Sequence, residues 1–255
     1  MFGHHPPATL PLATLAVEIL FDAAGNSGYQ AASANYTFSR TVTGANTFLA
    51  VDVEMFSVPG TTVTSVTDDD GGGNVAMTLI GVKSTVSGAG RVECWGLVNP
   101  AIGTKTIRVI LSASIASAAG AVSYTGVHQT VPTEAFNSAQ ATNIGAADAE
   151  VTVTSIAEQC WIHAACAADD TAITAGQRSR NNVTGALGSG ANEDFGPQAA
   201  GAKLMNYTDV GAAVTWAIAG YAIRPTTASG LAVSFWFDLA LVPTFRMPAN
   251  ELIAY

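Results

Sequence analysis

TFLAVDVEMFS, Thr47 to Ser57, is the stretch whose reading decides the fold. Phe48, Ala50, Asp52 and Glu54 fall on one parity, and Leu49, Val51, Val53 and Met55 on the other. Successive side chains of a strand point to opposite faces, so the run reads as a strand with one aliphatic and one carboxylate-bearing face. The expectation is a half-buried strand, its aliphatic face in a core and its carboxylates toward water.

Similar short runs lie on both sides of it. Upstream are Val17–Ala23 and Asn35–Val42, the second followed by the turn Thr43-Gly44-Ala45-Asn46. Downstream, Pro59-Gly60 turns the chain into Thr62–Thr67, and an acidic turn at Asp68–Gly73 precedes Val75–Val82. Further strands are expected at Arg91–Val98, Thr104–Ser112, Gly120–Thr125, Glu150–Ile156, Cys160–Ala167 and Ala212–Ile223. Two polar stretches, Gln129–Ala147 and Asp169–Asn206, lack apolar periodicity and read as long loops. About ten to twelve strands with hairpin-length connections, no βα alternation and no long amphipathic helix predict an all-β antiparallel β-sandwich, a jelly roll by expectation. The organisation read from the chain is an extended segment over 1–16, a sandwich domain over 17–225, and a linker, apolar strand and arm over 226–255. In the last part Leu231, Val233, Phe235, Phe237, Leu239 and Leu241 share one parity, with Phe245 and Tyr255 beyond them. These are the candidate assembly residues, because an apolar strand can also add to a neighbouring sheet edge.

Composition narrows the function classes. The chain has 255 residues and a net charge of −9 with only 10 Lys and Arg, which are scattered. No basic cluster is available to neutralise phosphates or to bind an anionic membrane, so neither nucleic acid nor membrane is an expected partner. Charged residues make up 11%, against about 25% in ordinary soluble domains. Ala, Gly, Ser and Thr therefore cover much of the surface, which suits packing against protein or carbohydrate. Cys94, Cys160 and Cys166 are an odd set at irregular spacing and read as core thiols. Cys160 and Cys166, six residues apart in one strand, would sit about 20 Å apart and out of bonding reach. Met1 to Ala16 has no Lys or Arg and three prolines, unlike a secretion signal, and no apolar run is long enough to span a membrane. An extracellular-looking β fold without an export signal is the combination expected of a virion protein assembled in a host cytoplasm.

Candidate chemistry is sparse. Asp68-Asp69-Asp70-Gly71-Gly72-Gly73-Asn74 clusters carboxylates, but they are adjacent and Leu79 stands where a calcium loop needs its final glutamate. A solvated hairpin tip is expected there, and at Asp169-Asp170 as well. His163 follows Cys160 in one strand, yet the two point to opposite faces and cannot share a metal. His4-His5 is too short for a metal tract, and His128 falls in a loop after a strand. Serines are plentiful without a nucleophile elbow, and Gly185–Gly190 lacks the order and the helix of a phosphate cradle. Trp95, Trp161, Trp216 and Trp236 sit in strands, with core packing the default. The expectation is no catalytic residue, no metal and no cofactor, hence no enzyme.

The stretch Arg91–Pro132 adds a resemblance. Trp95 and Leu97 run into Asn99-Pro100, Gly103-Thr104 makes a turn, an alternating strand follows, and Ser123 to Val127 leads to Gln129 and Pro132. This pattern, with Val63-Thr64-Ser65-Val66 and Ala76-Met77-Thr78-Leu79 upstream, resembles a β-sandwich domain of tailed-phage virion proteins that is also found in bacterial surface proteins. The resemblance spans roughly residues 35–132, implies a sandwich, and carries no catalytic residue. It implies a capsid decoration or cement protein that binds itself, as a homo-oligomer such as a trimer, and binds the major capsid protein. The alternative expectation is a carbohydrate- or receptor-binding module of a fibre or cell surface, with a glycan bound on the two polar stretches.

Overall fold

The computed structural model describes residues 17–226, apart from 57–58, 70–72, 89, 143–147, 170–172 and 210–213. The candidate assembly residues from Leu231 to Tyr255, the segment 1–16 and Asp70 lie outside the described residues. Within them the protein is built of strands and carries no helix: an all-β, antiparallel sandwich architecture.

The first half supplies β1 (Leu20–Asn26), β2 (Gln30–Val42), β3 (Phe48–Phe56), β4 (Val63–Asp69), β5 (Asn74–Ala76), β6 (Thr78–Ser84), β7 (Arg91–Val98) and β8 (Gly103–Thr125). The spine is β8, a single 23-residue strand where two separate strands were expected. One edge of β8 pairs with β1 and then β2, and the other pairs with β3 and then β4. Ser112, Ala113 and Ser114 are exposed in its middle, and there the pairing with β2 slips: Ser33 faces Ile115 while Asn35 faces Ile110. Five residues of β8 run past two of β2, which bends the sheet back across its own face. Odd-numbered residues line the inside of that bend throughout. Ile107, Val109 and Leu111 from one arm pack with Ile115, Ala119 and Ala121 from the other, and with Leu49, Val51, Val53 and Met55 of β3.

The second half supplies β9 (Thr133–Thr142), β10 (Ala149–Ser155), β11 (Cys160–Ala168), β12 (Ile173–Ala175), β13 (Arg178–Gly185), β14 (Gly188–Gln198), β15 (Gly201–Asp209) and β16 (Thr215–Ile223). They form a five-stranded sheet, β13-β14-β11-β16-β9, covered on one face by the sheet β10-β15-β12. Val151, Val153, Met205 and Tyr207 of the covering sheet pack on Ile162, Ala164, Cys166 and Ile218. The opposite face of the five-stranded sheet lies against the first sandwich, through Ala116, Ala118, Val122, Trp161, Ala165, Ala167, Ala217 and Ala219. The result is four β layers with three interiors, two sandwiches joined face to face along a seam.

Several expectations change. The two polar stretches are mostly strand: β9 occupies the first, and β12 to β15 most of the second, so they are not recognition loops. Among the described residues the strand count is sixteen, with Val75–Val82 interrupted at Met77. Asp68 and Asp69 belong to β4, not to a hairpin tip, and Asp68 is fully buried. Its partner is Arg40, whose guanidinium grips both Asp68 oxygens and donates to the carbonyls of Ala101 (2.7 Å) and Gly103 (2.9 Å). A buried carboxylate is tolerable only with such a partner.

The carboxylate face of β3 is the main correction. Asp52 is fully buried and Glu54 nearly so, because that face meets the second sandwich instead of water. Both β3 and β11 are buried along their whole length. The layers approach closely because Gly190 of β14 stands opposite Glu54: a Cβ there would sit 2.8 Å from both Glu54 Cβ and Cγ. Gly190→Ala is therefore expected to destabilise the fold by about 1–3 kcal/mol, since overpacking forces neighbouring backbones apart. Urea denaturation of wild type and variant measures this, and an unchanged midpoint would show that the seam has slack.

Candidate functional site

Alternation along seven strands delivers polar groups to the middle of the seam. Asp52 and Glu54 come from β3, Cys94 from β7 and Tyr124 from β8. From the other sandwich come His163 (β11), Asn181 and Arg180 (β13), Asn192 and Asp194 (β14) and Tyr221 (β16). Asp52, Cys94, Tyr124, His163, Asn192, Asp194 and Tyr221 all have zero solvent exposure.

They form one chain of hydrogen bonds that crosses the seam three times. His163 Nε2 lies 2.6 Å from Asp52 Oδ2, and His163 Nδ1 lies 2.9 Å from Tyr124 Oη. Tyr124 Oη donates to Asp194 Oδ2 at 3.0 Å. Arg180 closes the chain as a fork on Asp194, Nε to Oδ2 at 2.6 Å and Nη2 to Oδ1 at 2.9 Å. Paired N–H bonds of this kind are the strongest way to hold a carboxylate. Arg178 adds a contact at 3.2 Å to the same carboxylate, half-exposed and stacked 4.5 Å from the Trp161 ring. The Arg180 guanidinium also lies 3.7 Å over the ring of Phe21 from the first sandwich.

A side branch fixes Asp52. Asn192 Nδ2 donates to Asp52 Oδ2 at 3.1 Å, which sets the orientation of the Asn192 amide because a carboxylate only accepts. Asn192 Oδ1 is then the acceptor for Asn181 Nδ2 at 3.0 Å. A β-carbon at Gly120 of β8 would fall 2.4 Å from Asn192 Nδ2, so this amide pair occupies the space a side chain would need.

Burial dominates the electrostatics. It pushes the Glu54 carboxyl well above the usual carboxylate range, with the Asp52 charge adding to the effect, so Glu54 is held protonated. The Cys94 thiol is pushed up by burial and then by Asp52. The Tyr124 and Tyr221 hydroxyls rise chiefly for the same reason. On the opposite face of β14, Glu193 is raised by burial to about 7, although the backbone N–H groups of Gln177 (2.7 Å) and Asn206 (3.1 Å) favour its charged form.

His163 and Cys160 do face opposite sides, one in the seam and the other in the second sandwich's interior. All three cysteines are buried and none is in a disulfide, with Cys94 in a different layer from Cys160 and Cys166. Among the described residues, no group of three His, Cys, Asp or Glu is placed to hold a metal ion. Trp161 and Trp216 are core residues and Trp95 is half-buried against the first core, while Trp236 lies outside the described residues. Sequence reasoning missed Asp52, Tyr124, Arg180, Asn192 and Asp194 as a set. The available signal was that Asp52, Glu54 and His163 share their parity with Ala50, Ala165 and Ala167, small residues suited to a close interface.

A second feature is an apolar groove of about 600 Å³ between the edges of the sandwiches, lined in part by Phe48, Leu79, Ile80, Val98 and Phe136. Its carboxylate, Glu134, is already committed to the N–H groups of Ile156 (2.7 Å) and Ala157 (2.9 Å) and to Arg224. Compared with known proteins, the chain matches no family model, no curated protein and no solved structure.

The seam network holds polar and charged groups in a layer with no solvent exposure and so offers no surface to a substrate in this conformation. Arg180→Met is expected to cost about 3–5 kcal/mol, because it strands Asp194 as a buried charge beside a half-exposed arginine. Chemical denaturation reads the loss, and a cost under 1 kcal/mol would mean that Arg178 suffices. Glu193 sets a pH dependence. Its folded-state value lies above the ordinary 4.5, so between 4.5 and about 7 the folded state binds more protons than the unfolded one. This contribution to stability is therefore full at low pH and lost as pH rises toward 7. Glu193→Gln should flatten that segment of the stability–pH curve, while losing one of the two backbone N–H bonds.

Proposed function

We propose that this protein is a virion structural protein, a capsid decoration or cement protein that acts by packing against copies of itself and against the capsid shell. The observation that carries this reading is where the charges are. The chain has few charged residues, and Asp52, Glu54, Asp68, Glu93, Asp194, Arg40 and His163 are buried inside the sandwiches or the seam. The outer surface is left to small and hydroxyl residues, with Leu20, Leu79, Val86, Ile102, Ile156 and Leu204 exposed on it. Such a surface is weakly hydrated and gains by contact with protein. The resemblance of Arg91–Pro132 to phage virion sandwiches points the same way. The seam serves as an internal brace, in keeping with a protein that bears load without turning over a substrate.

The full chain, expressed alone, is expected to form a symmetric oligomer by light scattering and to add to undecorated heads of the source virus in electron micrographs. A monomer that stays off the heads would overturn the proposal.

A further inference from the structure

The groove between the sandwich edges has an open strand along one wall. β6 ends its sheet and, among the described residues, pairs only with β7, so its outer N–H and C=O groups can take another strand. From the other wall, β9 brings Phe136 across to Gly81 of β6, where a Cβ would fall 2.2 Å from the ring. Phe48, Ile80 and Val98 in the groove belong to the seam's apolar cluster, while Leu79 and Phe136 are 44% and 39% exposed. Apolar walls beside a bare strand edge suit an extended apolar segment: main-chain bonds hold it, and alternate side chains fill the slot.

The sequence contains a segment with that pattern. Residues 231–241 carry Leu231, Val233, Phe235, Phe237, Leu239 and Leu241 on one parity, against Ser234, Trp236 and Asp238 on the other. The path toward them favours a neighbour's groove over the chain's own. β16 runs beside β9 until Ile223 faces Thr133. Arg224 N then donates to Pro132 O (2.8 Å) and Thr226 N to Gly126 O (2.8 Å), while Val17 N donates to Thr226 O (2.9 Å). Each step leads away from Phe136 and the β9 wall. Thr227–Gly230 is only four residues, with a reach of at most about 14 Å, most of which a reversal would consume.

We propose that residues 231–241 of one copy add as a strand to β6 in the groove of a second copy, with Phe235, Phe237 and Leu239 filling the slot. The proposal rests on the self-association argued above and names the surfaces that meet. Donor segment and acceptor groove are different surfaces, so each copy gives one strand and takes one, and the set closes as a symmetric oligomer.

The test co-expresses two singly substituted full chains, Leu79→Cys and Phe237→Cys, and oxidises them mildly; the three native cysteines are buried. A disulfide between the two chains is expected, located by mass spectrometry, with Phe235→Cys and Leu239→Cys covering a shift of one residue pair along the strand. Trp236→Cys, on the opposite parity, should cross-link about ten-fold less. Equal yields from both parities overturn the seating of the strand. Light scattering on the same samples separates the remaining outcomes. An oligomer without cross-links from position 79 to positions 235, 237 or 239 overturns the strand exchange and leaves self-association standing. A monomer overturns both. An intrachain bond alone, when Leu79→Cys and Phe237→Cys share one chain, means that the segment fills its own groove and overturns the exchange between copies.

Discussion

A carboxylate placed between two sheets loses its water, and everything around Asp52 follows from that. The desolvation of an ion costs several kcal/mol after relaxation, so a charge in such a layer persists only when neighbouring groups replace its hydration. Here the replacements come from the opposite sandwich, as His163 Nε2 and Asn192 Nδ2. Those side chains are in turn held by Tyr124 and Asn181, and the chain ends on Arg180, which stands at the margin of the seam. The interior network thus runs from a partly buried guanidinium to a fully buried carboxylate. Glu54, without such a partner set, is held in its neutral form by the same desolvation.

Reaching across the seam requires the sheets to be close, and this is why its apolar residues are small. Ala116, Ala118, Ala165, Ala167, Ala217 and Ala219 occupy the positions that Leu or Ile would take in a thicker core. Gly120 and Gly190 go further, leaving room for the Asn192 amide and the Glu54 stem. The larger aliphatics are concentrated in the other two interiors, where no polar chain has to span the gap. The bend in β8 lets one strand serve two of the layers, with its odd residues in the apolar interior and the even residues of its second arm in the polar seam.

Much of the fold was legible in local pattern. Thr47–Ser57 and Arg91–Val98 read correctly as strands because their alternation is strict. What alternation cannot tell is whether a polar face meets water or partners, since a lone strand carries the same pattern in both cases. That is why the carboxylates of β3 were expected in solvent. The second half was harder for a related reason. β13 and β14, RSRNNVTG and GSGANEDFGPQ, present Asn, Asp and Gly to the seam, residues disfavoured in strands when no partner strand is known. Gly185 and Gly188, set aside as a phosphate cradle, pair with each other at the turn that joins these strands. Here tertiary hydrogen bonding overrides local preference.

The polar seam also bears on which arrangement the chain selects. An all-alanine interface would tolerate sliding, since one small residue replaces another at little cost. A one-residue slip of β11 would exchange its faces, burying His163 against Met205 and Tyr207 and offering Ile162 and Ala164 to Asp52. Asp52 would then be left with the Asn192 amide alone, and Tyr124 would lose its ring partner. The network penalises every register but one, and it does so most strongly where the apolar contacts discriminate least. The same reasoning explains why the charges cluster on the central strands β3, β11 and β14: only there do partners from both sandwiches converge on one carboxylate.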